Sequence, residues 1–370
     1  MQGSLFSRLA HRLRTLDGPV YPLHVGDTYL EPVEGCRMQD LDVATHPGMH
    51  RYAPPHGLPA LLEVVVDRAA RRTGVATTPD NVLIAAGATG ALGAAIGATI
   101  DPGDEVLLLA PYWPLITGIV KSFSGEPVPV PFVGEVESAA DVERVLDAHR
   151  GPRTAALYLS TPNNPTGKVI PGEWIEAATL WARRHGLWVY ADEVYEDYVY
   201  RGEHAYGRTV APERTFSVHS FSKAFGMAGN RCGYVVGPAE VMGELRKVST
   251  HTFYSTPTAS QLAAARALDG RGDAWIADVS QRYLEVGEAA AARLGLAPPE
   301  GSQFLWIDVA DVLDGRGLMG FLEDALDRGL LLAPGPSFGP YPTHVRACYT
   351  CAAPEVVTTG IEHLARSIGR

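Results

Sequence analysis

Lys223 stands in the segment Ser220–Phe221–Ser222–Lys223, after an apolar run and ahead of a glycine-rich stretch, AFGMAGNRCGY. A single lysine is by default a solvated surface cation. Small and apolar neighbours at the carboxyl end of a strand set up a buried amine instead, and burial disfavours the ammonium form. A neutral amine is a nucleophile that can form a Schiff base with a carbonyl. Eight residues on, Arg231 offers a guanidinium fork suited to a phosphate. Asp192 closes a second apolar run, LWVYA. Aspartate in that position caps or turns the chain more often than it reacts. It can also keep a heteroaromatic ring nitrogen protonated, so that the ring accepts electrons. Tyr195 follows three residues later, within reach of the same ligand.

Three further segments carry chemistry-bearing residues. GATGALGAAIG, from Gly87, puts glycines where a strand gives way to a helix, and backbone amides and the helix dipole there favour a phosphate. Its spacing is not G-x-G-x-x-G, which argues against a dinucleotide site even though Asp104 lies at a workable distance. LSTPNNPTGKV forms a rigid turn after a buried run, and Pro162 occupies the position where a P-loop needs glycine. Cys348 and Cys351 make a C-x-x-C. A redox or zinc role calls for a helix amino terminus or a second ligand pair, and neither is evident, so plain packing is expected.

These residues need a scaffold, and the apolar runs supply one. NVLIAAG, EVLLLAP, AALYLST, LWVYADE and TFSVHSF read as strands, with helical stretches between several of them. The alternation predicts a mostly parallel sheet covered by helices on both faces, with ligands bound at the strands' carboxyl ends. From about Thr256 the texture changes: two helices broken at Gly-Arg-Gly-Asp, a strand at FLWIDVA, a helix at GLMGFLEDALDRG, a strand at VRACYT and a last helix. The expected division is an N-terminal arm and part of a small domain over 1–45, a large domain over 46–270, and a small α+β domain over 271–370. The first 20 or so residues read as a short amphipathic arm, not a signal peptide, and are too few for a DNA-binding helix-turn-helix.

Bulk properties narrow the function. The 370 residues carry 31 basic and 42 acidic side chains, a formal charge of −11, which gives no attraction to nucleic acid or anionic membranes. No apolar window is long enough to span a bilayer. Four cysteines in this length point to a reducing, cytoplasmic setting.

Taken together, the segments resemble the fold-type I pyridoxal-5′-phosphate (PLP) enzymes, in particular the class I/II aminotransferases related to aspartate aminotransferase, from about Pro22 to the C-terminus. The resemblance implies an α/β fold, with a mostly parallel, mixed seven-stranded sheet flanked by helices and a smaller C-terminal α+β domain. It implies PLP held as a Schiff base on Lys223, which also shuttles the substrate proton. Asp192 would bind the pyridine nitrogen, and Tyr195 with Asn164 the phenolic oxygen. Arg231, Ser220, Thr89 and the amide of Ala88 would cup the phosphate, and Trp113 would stack on the ring. Tyr52 would reach the phosphate of a neighbouring subunit, which implies a homodimer with shared sites. Arg346 would clamp the substrate α-carboxylate, with Gly26 and Asn164 beside it. Ala347 and Cys348, after the arginine, depart mildly from the family's pattern.

The implied reaction moves an amino group from an α-amino acid to an α-keto acid by a ping-pong route. The same residues also serve cyclases, lyases, decarboxylases, racemases and oxidases of this fold. Dicarboxylate-specific relatives carry a second arginine, from the partner subunit, before an S-x-P segment. Aligning Ser255-Thr256-Pro257 puts His251 there. Tyr29, Tyr112, Phe253 and Tyr254 could line a neutral or aromatic pocket, so strict dicarboxylate specificity is not expected.

Overall fold

The computed structural model describes residues 16 and 18–370. Most of the expected amphipathic arm lies outside the described residues.

Seven strands form one sheet: β1 (Val82–Ala85), β2 (Glu105–Ala110), β3 (Glu126–Pro131), β4 (Thr154–Ser160), β5 (Trp188–Asp192), β6 (Thr215–Ser220) and β7 (Gly233–Val236), in the order β1-β7-β6-β5-β4-β2-β3. From β6 to β3 all neighbours are parallel, whereas β7 runs antiparallel to both β1 and β6. The central strands are buried on both faces, as continuous apolar runs require when helices cover each side. The helix Gly87–Thr99 is apolar all round, and its buried Ala91, Leu92, Ala94, Ala95 and Ile96 fill the layer between the sheet and the helix Ala239–Thr252.

Two strands of this sheet were not foreseen. β3 reads EPVPVP, and alternating prolines cannot donate on one side, so this strand can exist only at an edge, paired with β2 alone. β7 is four residues long and follows a glycine-rich loop, too short for a period to register.

The second sheet has three antiparallel strands, β8 (Phe304–Asp308), β9 (Ala333–Pro334) and β10 (His344–Cys348), in the order β8-β10-β9. The expected break between helices falls at Asp269 and Gly270, where φ reaches +99° at the glycine, before the long helix Gly272–Arg293. Among the described residues no helix is long and apolar enough to cross a membrane.

Candidate active site

The carboxyl ends of the parallel strands converge on one cavity. After β1 come Ala88 and Thr89, and after β2 comes Trp113. Asn164 follows β4, Asp192 and Tyr195 lie at the end of β5, Ser220 and Lys223 at the end of β6, and Arg231 just ahead of β7. Because β7 is antiparallel, its beginning lies at the same edge as the other strands' ends, and this brings Arg231 to the site. Two glycines make the close approach possible. Gly87 has φ +70°, and a Cβ there would lie 2.8 Å from Arg231 Nη2. A Cβ on Gly233 would lie 2.7 Å from the backbone carbon of Gly87 and 2.9 Å from the amide nitrogen of Ala88. Arg231 itself is in the left-handed region, at φ 51°, a conformation that costs a non-glycine residue about 1 kcal/mol or more.

Asp192 is 3 % exposed. Its Oδ2 accepts a hydrogen bond from Tyr158 Oη at 2.6 Å, while Oδ1 has no hydrogen-bond partner. Burial pushes its carboxyl up to about 6, against the Tyr158 hydroxyl, which pulls it down. The Lys223 amine donates to the carbonyl of Gly26, and burial draws its ammonium below the ordinary lysine range, with Asp27 opposing. Tyr195 packs edge-on against Phe304, with centroids 5.6 Å apart at 83°, and burial raises its phenol far above the usual value.

The two segments that carry Tyr195 and Lys223 are stitched to each other and to the core. Tyr198 Oη donates to the carbonyls of Lys223 at 3.0 Å and Ala224 at 3.1 Å. The turn holding Tyr195 is pinned from the helix Pro59–Thr73: Arg68 Nη2 lies 2.7 Å from Asp197, and Arg72 Nη1 lies 2.9 Å from Glu196. Removing one member of such a buried pair leaves an uncompensated charge and costs about 3–5 kcal/mol.

Arg346, on β10, is 6 % exposed and held from three sides. Its Nη1 donates to Asn164 Oδ1 at 2.8 Å and its Nη2 to the carbonyl of His24 at 2.6 Å, and its guanidinium lies over the rings of Phe304 and Phe338, at 4.2 and 4.9 Å. Nε has no partner. The adjacent asparagines divide their work. Asn163 braces the loop, through the carbonyl of Pro111 and the amide and hydroxyl of Thr166, while Asn164 faces the cavity.

Several expected residues do not line this cavity. Tyr52 is 85 % exposed and packs only edge-on against Tyr254, with centroids 5.0 Å apart. His251 is exposed on the helix Ala239–Thr252, and Tyr29 faces a separate recess with Asp27 and Leu30. Tyr112 is buried, its amide bonded to the carbonyl of Phe338. Phe253 packs beside Gly90. Conversely, Tyr158, Tyr198, Phe304 and Phe338 were missed. Each acts across elements distant in sequence, so no local pattern marks it.

The residues fit PLP. The amino end of the helix Gly87–Thr99, with Arg231 beside it, suits a phosphate. The unpartnered, buried Oδ1 of Asp192 suits a protonated ring nitrogen, and the desolvated amine of Lys223 suits a carbonyl. Fold and site together define a PLP enzyme of the α/β type.

Residues 19–364 match the family Aminotransferase class I and II. The chain belongs to this family of PLP-dependent enzymes, which transfer amino groups. The aspartate/prephenate aminotransferase of Thermus thermophilus is 34 % identical over 336 residues, spanning 87 % of this chain and 84 % of that one. The arginine–pyruvate transaminase of Pseudomonas aeruginosa is 33 % identical over 301 residues, spanning 79 % and 76 %. A single mutant of Thermus thermophilus aspartate aminotransferase, among solved structures, superposes with a TM-score of 0.88 at 30 % identity, over 99 % of this chain and 97 % of that one.

Proposed function

We propose that this aminotransferase exchanges the amino group of a neutral or aromatic α-amino acid with an α-keto acid in two half-reactions, without strict preference for dicarboxylates. The observation that carries the reading is the pairing, in one cavity, of the unpartnered Asp192 Oδ1 with the desolvated amine of Lys223, while Asn164 ties Arg346 to the same cavity. When bound, PLP supplies the electron sink that acidifies the substrate Cα–H. Lys223 Nζ would take that proton from the substrate Cα and carry it to the carbon of the cofactor's aldehyde group. Asp192 would keep the ring nitrogen charged, Tyr195 and Asn164 would donate to the ring oxygen, and Trp113 would stack on the ring. Ser220, Thr89, the Ala88 amide and Arg231 would hold the phosphate. Arg346, with the Gly26 backbone beside it, fixes the carboxylate and so the face on which the proton moves.

The relatives are named for aspartate, prephenate, arginine and pyruvate, a range too wide to carry a donor across. The choice of a neutral or aromatic donor rests on the cavity's own lining, whose cations are Lys223 and Arg231, both already assigned to the cofactor. His251, from a partner subunit, would be a weak, pH-dependent match for a side-chain carboxylate. Tyr52, exposed beside Tyr254, supports a homodimer in which each subunit completes the other's site. The proposed division, 46–270 and 271–370, gives the cofactor to the larger domain and Arg346 to the smaller. Four free thiols suit a cytoplasmic setting.

The test mixes holoenzyme with single amino acids in the absence of keto acid and follows cofactor absorbance. A neutral or aromatic donor should convert the cofactor stoichiometrically to its amine form, and an added keto acid should reverse this. Absorbance that recovers without keto acid, or oxygen uptake, would replace transamination with another PLP reaction.

A further inference from the structure

The C-x-x-C at Cys348 is not used by the reaction. Cys348 is fully buried at the end of β10, two residues after Arg346, so both side chains leave the strand on the same face. Its Sγ lies 3.4 Å from Thr350 Oγ1 and 3.8 Å from the carbonyl of Asp27. Cys351 is half-buried and curls back, its Sγ donating to the carbonyl of Cys348 at 3.3 Å. Burial opposes ionisation of Cys348, yet the bonds from Cys351 and Thr350, with Arg346 nearby, bring its thiol below the ordinary range. The other two cysteines make a control: Cys36 and Cys232 are fully buried, and burial pushes both thiols up.

The loop that carries these thiols also anchors the strap over the site. Cys348 N donates to the carbonyl of Leu23 at 2.7 Å, Thr350 Oγ1 to that of Asp27 at 2.7 Å, and Tyr29 N to that of Thr350 at 3.0 Å. Between these anchors the strap presents the His24 carbonyl to Arg346 and the Gly26 carbonyl to Lys223.

We infer that Cys348 and Cys351 are a redox site, closed to a disulfide by a small hydroperoxide and reopened by a dithiol, and that closure loosens the hold of Arg346 on the substrate carboxylate. Of the pair, Cys348 is the sulfur favoured as thiolate, while its neighbour and burial push the Cys351 thiol up; the half-buried Cys351 is the one a peroxide reaches, and it reacts by passing its proton to the Cys348 sulfur. Its sulfur attacks one peroxide oxygen, the O–O bond breaks, and the leaving oxygen takes a proton to become an alcohol or water. The Cys351 sulfenic acid is then attacked by Cys348 sulfur; the S–S bond forms and the hydroxyl leaves as water. Two thiols are oxidised by two electrons and the peroxide is reduced by two. Joining the sulfurs turns residues 349–350 and shifts the Thr350 anchor, which moves the His24 carbonyl. This coupling rests on the carboxylate role proposed for Arg346; the disulfide does not.

The experiment treats holoenzyme with graded hydrogen peroxide, then maps thiols by mass spectrometry and measures kinetics. The peptide holding Cys348 and Cys351 should lose two hydrogens while Cys36 and Cys232 stay reduced. KM for the amino donor should rise about three- to tenfold, the scale of one or two neutral hydrogen bonds, with kcat little changed. Dithiothreitol should restore both, and C351S and C351A should keep basal activity and ignore peroxide. If Cys348 and Cys351 oxidise no faster than Cys36 and Cys232, there is no redox site. A disulfide that leaves KM unchanged overturns the coupling, as does an equal response in C351S. A failed role for Arg346 shows separately, as an unchanged KM in R346Q with the mass result intact.

Discussion

The cavity's lining and the groups around it are built from different material. In the lining, each group given a chemical role sits within four residues of a strand end, and neighbouring strands hold that end by backbone pairing. Asp192 is paired in register with Ser160 on one side and Val218 on the other. Beyond that lining, Arg346 comes from the second sheet and donates to Asn164, and Gly26 comes from a strap and accepts from Lys223, while Tyr52 and His251 stand on the surface. The difference teaches where chemistry and choice reside. The groups proposed for proton transfer are positioned by the sheet, and those proposed for substrate selection stand on loops and the surface.

The contrast can be broken most directly at Lys223. Lys223→Ala should lower the single-turnover rate by about 10⁴-fold, the upper range for a positioned proton-transfer group, with the protein still folded. Turnover within tenfold of the parent would show that the site does not depend on this amine.

Asp192→Asn comes next. Loss of one partner of a buried charge pair costs about 3–5 kcal/mol, so cofactor affinity should fall by two orders of magnitude or more. The parent's affinity for PLP should be full above about pH 6 and fall below it, because the carboxyl is charged only above that value. The unliganded fold responds in the opposite sense. A raised carboxyl stabilises it when protonated, and that contribution disappears as pH rises through about 6. Both slopes should flatten in the asparagine variant, and titrating PLP into apoenzyme across this range measures the first of them.

At the boundary of the two regions, Arg346→Gln should raise KM for amino donors by about 2–3 kcal/mol, near a hundredfold, while kcat moves less. A change confined to kcat would relocate the carboxylate clamp. Tyr52→Phe should speed cofactor loss about tenfold, one hydrogen bond to a charged group, and should do so only in the dimer. His251→Arg should have the smallest effect, improving kcat/KM for dicarboxylate over aromatic donors by a few-fold, the scale of an exposed ion pair. No shift in that ratio would take the helix Ala239–Thr252 out of substrate selection.

Tyr158 illustrates what was not legible. It reads as one more apolar residue in AALYLST, yet its hydroxyl holds Asp192. Tyr158 pairs with Tyr190 across β4 and β5, which sets it diagonally opposite Asp192 on the same face. That relation exists only once the two strands are known to be neighbours in parallel register.

Sequence alone determined the strand ends and what stands on them: Lys223, Asp192, Tyr195, Asn164 and Arg231 each follow or precede an apolar run at fixed short range, and local propensity and burial operate at that range. Tertiary structure decided the order of strands and the antiparallel β7 that delivers Arg231. It decided the stitching of Tyr198 to the Lys223 segment, and the packing of Arg346 between Phe304 and Phe338. Those contacts join residues tens to hundreds of positions apart. Their energies arise from desolvation and close packing in the assembled core, which no local stretch of chain contains.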